Sequence, residues 1–194
     1  PHNNDRRTLT VSSFFMDKYE VHNLAWREYL HWNNVVFGKV KPELLKALLP
    51  DNTVWRDEMA YNEPYERFYF RHPAYSFYPV VGVSWEQATD YCVWRSDRVN
   101  ELRLKEAGVI DFPDFEAIYR DSARFENDSV AKAKVYNTGK YLKTDDYDPA
   151  AVKSTQINAF GDARKTNMSD GILLPDYRLP TEAEWEFAAY GITS

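Results

Sequence analysis

The sequence predicts an α+β domain with a large share of irregular structure. Two short apolar stretches, residues 8–15 and 79–83, have the pattern of β-strands. Several other segments show helical periodicity or a helix start signal. In two long stretches, residues 53–78 and 139–166, no period is sustained. The chain of 194 residues is long enough for one sizeable domain.

The first predicted helix covers residues 24–36, with Asn23 as its N-cap and Gly38 at its end. Helical spacing places four of its side chains on one face, and these are Trp26, Tyr29, Leu30 and Asn33. A short helix is predicted to follow over residues 43–49, because Pro42 suits the first turn of a helix.

The next predicted helix begins with a capping box, in which Ser84 and Gln87 satisfy each other's backbone amides. We expect it to run to about Lys105 and to end before Gly108. Its predicted one-sided stripe consists of Ala88, Tyr91, Cys92, Arg95, Val99 and Leu102.

A second capping box pairs Thr181 with Glu184 directly after Pro180, which cannot continue a preceding helix. The glutamates of the first turns suit the positive end of the helix dipole. The apolar stripe predicted for this last helix consists of Trp185, Ala188 and Ala189.

Residues 53–78 are dense in Trp, Tyr and Phe, interleaved with Arg56, Arg67 and Arg71. Aromatic and basic residues in alternation can stack single-stranded nucleic acid. However, the net charge of -6 and the pI of about 5.3 argue against a nucleic-acid partner, since phosphate binding needs a basic surface. We therefore predict an irregular segment in which the rings pack on one another and on arginine.

Residues 109–176 have a different character, with interleaved charges and isolated aromatic residues. Short helices are predicted at about 112–124 and 129–136. Residues 139–166 show little period, and so long an aperiodic stretch inside a domain indicates an insertion or an arm.

Three strings of residues resemble the formylglycine-generating enzyme family, also called the sulfatase-modifying factors. Residues 14–23 (FFMDKYEVHN) and 79–94 (PVVGVSWEQATDYCVW) are similar to its first two characteristic strings, and residues 178–186 (RLPTEAEWE) match its third without a change. This resemblance implies a compact, irregular mixed α/β fold that is related to C-type lectins.

The same resemblance divides the chain. In ordinary members of the family the second string runs into the third after a few residues, whereas here they are far apart. The resemblance therefore implies that residues 1–94 and 177–194 are the N-terminal part of the domain. Residues 95–176 would be an insertion that continues the helix and then forms an extended arm.

Within the family, the sequence is most similar to the gliding-motility lipoprotein J group of the Bacteroidetes, a non-catalytic branch. The resemblance rests on residues 71–75 (RHPAY), 94–101 (WRSDRVNE) and 170–175 (DGILLP). It implies a protein on the periplasmic face of the outer membrane, held by an N-terminal lipid and supporting gliding and type IX secretion. The related lipoprotein K is the nearest alternative within the fold.

The resemblance carries no catalytic, cofactor-binding or metal-binding residue onto these positions. In the oxygenase members the redox-active cysteine pair and the calcium ligands lie C-terminal to the third string, which places them beyond Ser194. We expect the remainder of the same polypeptide to complete the domain and to cover the helix that bears Trp185. The other expected partners are gliding and secretion lipoproteins and ring components, with membrane contact only through a lipid anchor outside these residues.

Two other classes of function stay open. The first is an enzyme of the same family, either an oxygenase that makes formylglycine on sulfatases or an iron-dependent sulfoxide synthase. The second is a lectin-like module that binds carbohydrate or peptide. The sequence that follows Ser194 would separate the oxygenase from the scaffold.

Four features have residue types suited to chemistry but are better explained by structure. Cys92 lies in an apolar helix stripe, as a small buried hydrophobic residue would. His22 has no second ligand at a metal-binding spacing. The acidic turn at 145–148 lacks the glycine and the glutamate of a calcium loop. The glutamates of the last helix, Glu182, Glu184 and Glu186, are accounted for by capping and by the helix dipole.

Overall fold

The computed structural model describes residues 10–39, 41–110, 135–143 and 156–191. These residues are mostly helical. The helices are α1 (Asn23–Phe37), α2 (Pro42–Leu48), α3 (Glu63–Phe68), α4 (Trp85–Glu106), α5 (Thr138–Lys143) and α6 (Glu182–Tyr190). Short 3₁₀ turns lie at Asn52–Trp55, Pro73–Tyr75 and Met168–Asp170. An antiparallel hairpin pairs β1 (Gln156–Ile157) with β2 (Ala163–Arg164).

The first buried cluster joins α1, α2 and α4, and we call it the N-terminal core. It consists of Trp26, Tyr29, Leu48 and Tyr91. The Trp26 indole stacks on the Tyr91 ring with 5.2 Å between centroids, and its Nε1 donates to the Leu48 carbonyl oxygen at 3.1 Å. Stacking and a satisfied indole N–H together hold the three helices in one arrangement.

A second buried cluster lies within residues 95–176, the predicted insertion, and we call it the insertion core. It consists of Leu104, Val109, Ile110, Tyr136, Tyr141 and Leu173. The end of α4, helix α5 and the segment before Leu173 therefore pack around apolar side chains of their own.

Both predicted strands are wrong within the described residues. Residues 10–15 form no strand: Phe15 is fully exposed, and the Phe14 ring instead meets the Phe187 ring edge-on. Residues 79–83 form no strand: they make a single bridge, between Pro79 and His22, and Gly82 has a positive φ of +81°. An apolar pattern defines a strand only where another strand lies beside it, and here the neighbours are helix ends and turns.

Helix α1 begins at the predicted place, but with a different cap. The predicted cap, Asn23, is buried, and its side-chain amide donates to the carbonyl oxygens of Tyr69 (3.2 Å) and Tyr75 (2.9 Å). His22 caps the helix instead, since its Nδ1 accepts from the amide of Ala25 at 3.0 Å. The Asn23 side chain therefore does not cap the helix, because it is hydrogen-bonded to the carbonyl oxygens of Tyr69 and Tyr75.

The predicted stripe of α4 is correct at the buried Tyr91 and wrong at Leu102, while Cys92, Arg95 and Val99 are half-buried. Leu102 is 47% exposed, and the buried residues of the second half are mostly polar. They are Ser96, Asn100, Glu101 and Leu104. This face of the helix meets backbone groups of residues 172–177, so it needs hydrogen-bonding side chains.

The segment predicted to be irregular, residues 53–78, contains the short helix α3 and two 3₁₀ turns. The predicted packing of the rings on one another is confirmed, because Tyr69 contacts several neighbouring rings with centroid distances of 4.7 to 6.4 Å. Its hydroxyl donates to the Pro79 carbonyl oxygen at 2.8 Å.

The predicted helices at 112–124 and 129–136 fall mainly outside the described residues, and Val135 and Tyr136 are not helical. The stretch interpreted as aperiodic, 139–166, holds most of α5 and the hairpin. The acidic turn at 145–148 lies outside the described residues.

Candidate interaction surface

Cys92 lies half-buried on α4. Burial raises the pKa of its thiol above the ordinary value, and the neighbouring Arg95 offsets this only in part. A nucleophilic cysteine needs a lowered thiol pKa, so this environment is the reverse of a reactive one. Arg95 is itself directed elsewhere, since it pairs with Asp17 and lies over the Tyr177 ring at 4.2 Å.

The glutamates of α6 serve the start of the helix. The Glu184 carboxylate accepts a hydrogen bond from the Thr181 amide at 2.8 Å. It also accepts one from each terminal guanidinium nitrogen of Arg178, Nη1 at 2.7 Å and Nη2 at 2.6 Å. The bonds from Arg178, together with those from Thr181, lower the pKa of the Glu184 carboxyl to about 2. Glu184 is therefore a carboxylate at neutral pH, and it fixes the start of the RLPTEAEWE helix, while Glu182 and Glu186 are exposed.

The residues present do not fit the metal chemistry of the oxygenases. A cysteine pair needs two cysteines, and the 194 residues hold one. Within the ranges that the structure describes, no three side chains of His, Cys, Asp or Glu come together as metal ligands would. His22 uses Nδ1 to cap α1, and its ring lies edge-on to the Phe77 ring at 5.5 Å between centroids.

A row of polar side chains along α4, missed by the sequence reasoning, binds backbone groups of residue 138 and of residues 174–177. Asp97 accepts the Thr138 amide at 2.8 Å, Asn100 bonds to both backbone groups of Leu174, and Ser96 accepts the Tyr177 amide at 2.7 Å. We call Ser96, Asp97 and Asn100 the α4 polar row. The signal in the sequence was the polar stretch 95–98 (RSDR), followed by Asn100 and Glu101, in the second half of a helix predicted to have an apolar face.

Beside this row lies a buried carboxyl group. Glu101 is 2% exposed, and Nη1 of Arg98 approaches its Oε2 at 3.2 Å. Burial raises the pKa of Glu101 to about 7, and the nearby Asp97 adds to the effect, while Arg98 opposes it. Loss of solvation therefore outweighs the ion pair.

This carboxyl group should make stability depend on pH. A raised folded-state pKa means that Glu101 favours folding while protonated, so its contribution is lost as the pH rises from about 4.5 through about 7. The free energy of unfolding of the wild type should fall as the pH rises from about 5 to 8. In Glu101→Gln this fall should be smaller by about 1–3 kcal/mol. Urea titrations at several pH values measure this, with the exposed Glu106→Gln as control. Parallel pH profiles for wild type and Glu101→Gln would contradict the assignment.

Helix α6 exposes large aromatic side chains. Trp185 is 59% exposed, Phe187 60% and Tyr190 73%. This exposure agrees with the expectation that the helix bearing Trp185 needs a cover, and within the described residues the one buried residue of α6 is Glu184. At helical spacing Phe187 and Tyr190 lie on one side of α6 and Trp185 on another. Aromatic groups at this exposure, on a helix whose start is firmly fixed, are suited to binding another segment or protein.

A family model described as the sulfatase-modifying factor enzyme 1-like domain matches residues 2–194, almost the whole chain. No curated protein and no solved structure gives a significant match. None of the helices in the described ranges has the length and apolar character needed to cross a membrane.

Proposed function

Since the chain belongs to the sulfatase-modifying factor enzyme 1-like domain family, we propose that it is a non-catalytic scaffold of the gliding-motility and type IX secretion apparatus. The observation that carries this proposal is the exposure of the aromatic residues of α6. The environments of Cys92, His22 and Glu184 agree with it, because each of these side chains packs in or caps a helix. In this proposal the protein acts by contact, at the periplasmic face of the outer membrane, where an N-terminal lipid holds it.

The shared strings support a structural role. The third string supplies the Arg178–Glu184 pair and the capping box that fix α6. The second string supplies Tyr91 of the N-terminal core and the half-buried Trp94 packed against it. Cys92 of the same string has a raised thiol pKa, which suits a packing position.

We further infer that the complete domain has the irregular α+β fold of the formylglycine-generating enzymes. Residues 1–94 and 177–194 would be its N-terminal part, with residues 95–176 inserted between them. The remainder of the same polypeptide would cover the aromatic side chains of α6, and other lipoproteins and ring components would bind elsewhere. The resemblance of residues 71–75, 94–101 and 170–175 to the lipoprotein J group supports this assignment over lipoprotein K.

The competing function is that of a formylglycine-generating oxygenase or a sulfoxide synthase. In that case the catalytic residues would belong to sequence outside these 194 residues. Family membership is compatible with this alternative, because the family contains enzymes as well as non-catalytic members.

Colony spreading tests the proposal. A strain of the source bacterium that lacks the gene should form compact, non-spreading colonies on agar, and a copy of the complete wild-type gene should restore spreading. Normal spreading without the gene would contradict the proposed role.

A further inference from the structure

One turn of the described structure presents large apolar side chains on a firmly held base. It lies between the 3₁₀ turn at Asn52–Trp55 and helix α3. At its base, Arg56 makes two hydrogen bonds to the Glu66 carboxylate, at 2.7 and 3.1 Å, and the Asn52 amide donates to the Glu66 carbonyl oxygen at 3.1 Å. A bidentate guanidinium–carboxylate pair fixes orientation as well as distance.

The tip of the turn carries Met59 and Tyr61. Met59 is 93% exposed and Tyr61 86% exposed, so neither side chain gains from burial. Both residues also have a positive φ, +67° for Met59 and +53° for Tyr61. That conformation is costly for residues other than glycine, asparagine and aspartate.

Met59 occupies the third position of a turn that the Ala60 amide closes onto the Asp57 carbonyl oxygen at 3.3 Å. Where φ is positive at this position, glycine or asparagine is the usual residue. Folding of the described residues therefore accounts for neither the side chain nor the backbone of Met59 and Tyr61. Contact with another molecule would account for the exposed side chains and for the strained backbone. The contact would bury the side chains, and the strained backbone would hold them in the orientation in which they bind.

The charges around the tip indicate what kind of molecule this is. Asp57, Glu58 and Glu63 are exposed within seven residues of sequence that contain no cation. The nearest one before them, Arg56, is already paired with Glu66, and the nearest one after them, Arg67, lies one helical turn beyond Glu63 in α3. Such a tip repels an anionic membrane surface and favours a protein surface with positive charge.

We propose that Met59 and Tyr61 form a docking tip for a folded protein that offers an apolar cleft rimmed by lysine and arginine. The two apolar side chains enter the cleft, and Asp57, Glu58 and Glu63 pair with its rim. This inference rests on the proposed scaffold function, since it assigns one contact surface to a component of that apparatus.

Site-specific crosslinking in the living bacterium tests the docking tip. In the full-length protein, Tyr61 is replaced by photoreactive benzoylphenylalanine, and the matched control carries the same group at Phe160, which is 90% exposed. Position 61 should crosslink to a protein, and position 160 should not. Mass spectrometry should map the contact to apolar residues flanked by lysine or arginine, and Asp57→Lys with Glu58→Lys should reduce the yield at least fivefold. Crosslinks to lipid alone, to an acidic segment, or none at position 61 would overturn the proposal.

Relief of the backbone strain gives a second test. Met59→Gly with Tyr61→Asn suits the positive φ values, so the melting temperature should stay constant or rise, while colony spreading should fall at least severalfold. A merely structural turn would give normal spreading, and that result would overturn the docking tip. If instead the gene-deletion strain spreads normally, the scaffold function is wrong. The docking tip is then judged by the crosslink alone, which supports it if position 61 contacts an apolar site flanked by lysine or arginine.

Discussion

Replacing Trp26 with alanine should destabilise the protein by about 3–5 kcal/mol, a large part of the roughly 5–15 kcal/mol that keeps an ordinary domain folded. Trp26 is 1% exposed, and its ring contacts those of Tyr91 and Tyr29. The substitution leaves a large cavity between α1, α2 and α4, and the Leu48 carbonyl oxygen loses its indole donor. Urea unfolding followed by circular dichroism measures the change.

The matched control is another tryptophan. Trp85, the first residue of α4, is 69% exposed, so Trp85→Ala should change the free energy of unfolding by about 0.5 kcal/mol or less. Equal effects of the two substitutions would show that the N-terminal core does not carry the stability we assign to it.

Asn100→Ala should cost about 2–4 kcal/mol, which is unusual for an asparagine. The Asn100 side chain is 1% exposed and accepts the Leu174 amide at 2.8 Å while donating to the Leu174 carbonyl oxygen at 3.1 Å. Alanine removes the partner of the Leu174 amide and of the Leu174 carbonyl oxygen, which lie 74 residues along the chain from Asn100.

Hydrogen exchange locates the effect. The Leu174 amide should lose its protection in Asn100→Ala, because its acceptor is gone. The exposed Asn34→Ala on α1 is the control and should leave Leu174 protected. If Leu174 stays protected in Asn100→Ala, the α4 polar row does not hold residues 174–177.

The helix starts could be predicted from the sequence because capping boxes are local. Ser84 with Gln87 and Thr181 with Glu184 each form within four residues, and both are present as predicted. Asn23 is also a favourable N-cap residue by local preference, but it does not cap α1. Its side-chain amide is hydrogen-bonded to two carbonyl oxygens about fifty residues further along the chain. Local signals hold where no tertiary partner competes for the same atoms.

The strands and the polar face of α4 could not be predicted, for the same physical reason. A strand needs a neighbouring strand, and the apolar residues of 79–83 lie beside a helix start. The buried Ser96 and Asn100 are explained by backbone groups of residues 174–177, which periodicity within α4 cannot reveal.

The candidate surfaces were predictable only in part. The sequence indicated that the helix bearing Trp185 would need a cover, and the exposure of α6 agrees with a surface of that kind. The tip at Met59 and Tyr61 carried no signal, because a positive φ at a methionine or a tyrosine is the opposite of what turn propensities predict.

The central claim is that the protein acts by contact and not by catalysis, and proteomics of the gene-deletion strain tests it most directly. Proteins secreted by the type IX apparatus should disappear from the medium, while the strain's sulfatases keep their formylglycine. The opposite result, a normal set of secreted proteins with sulfatases that retain an unmodified active-site cysteine, would contradict the scaffold and establish the oxygenase.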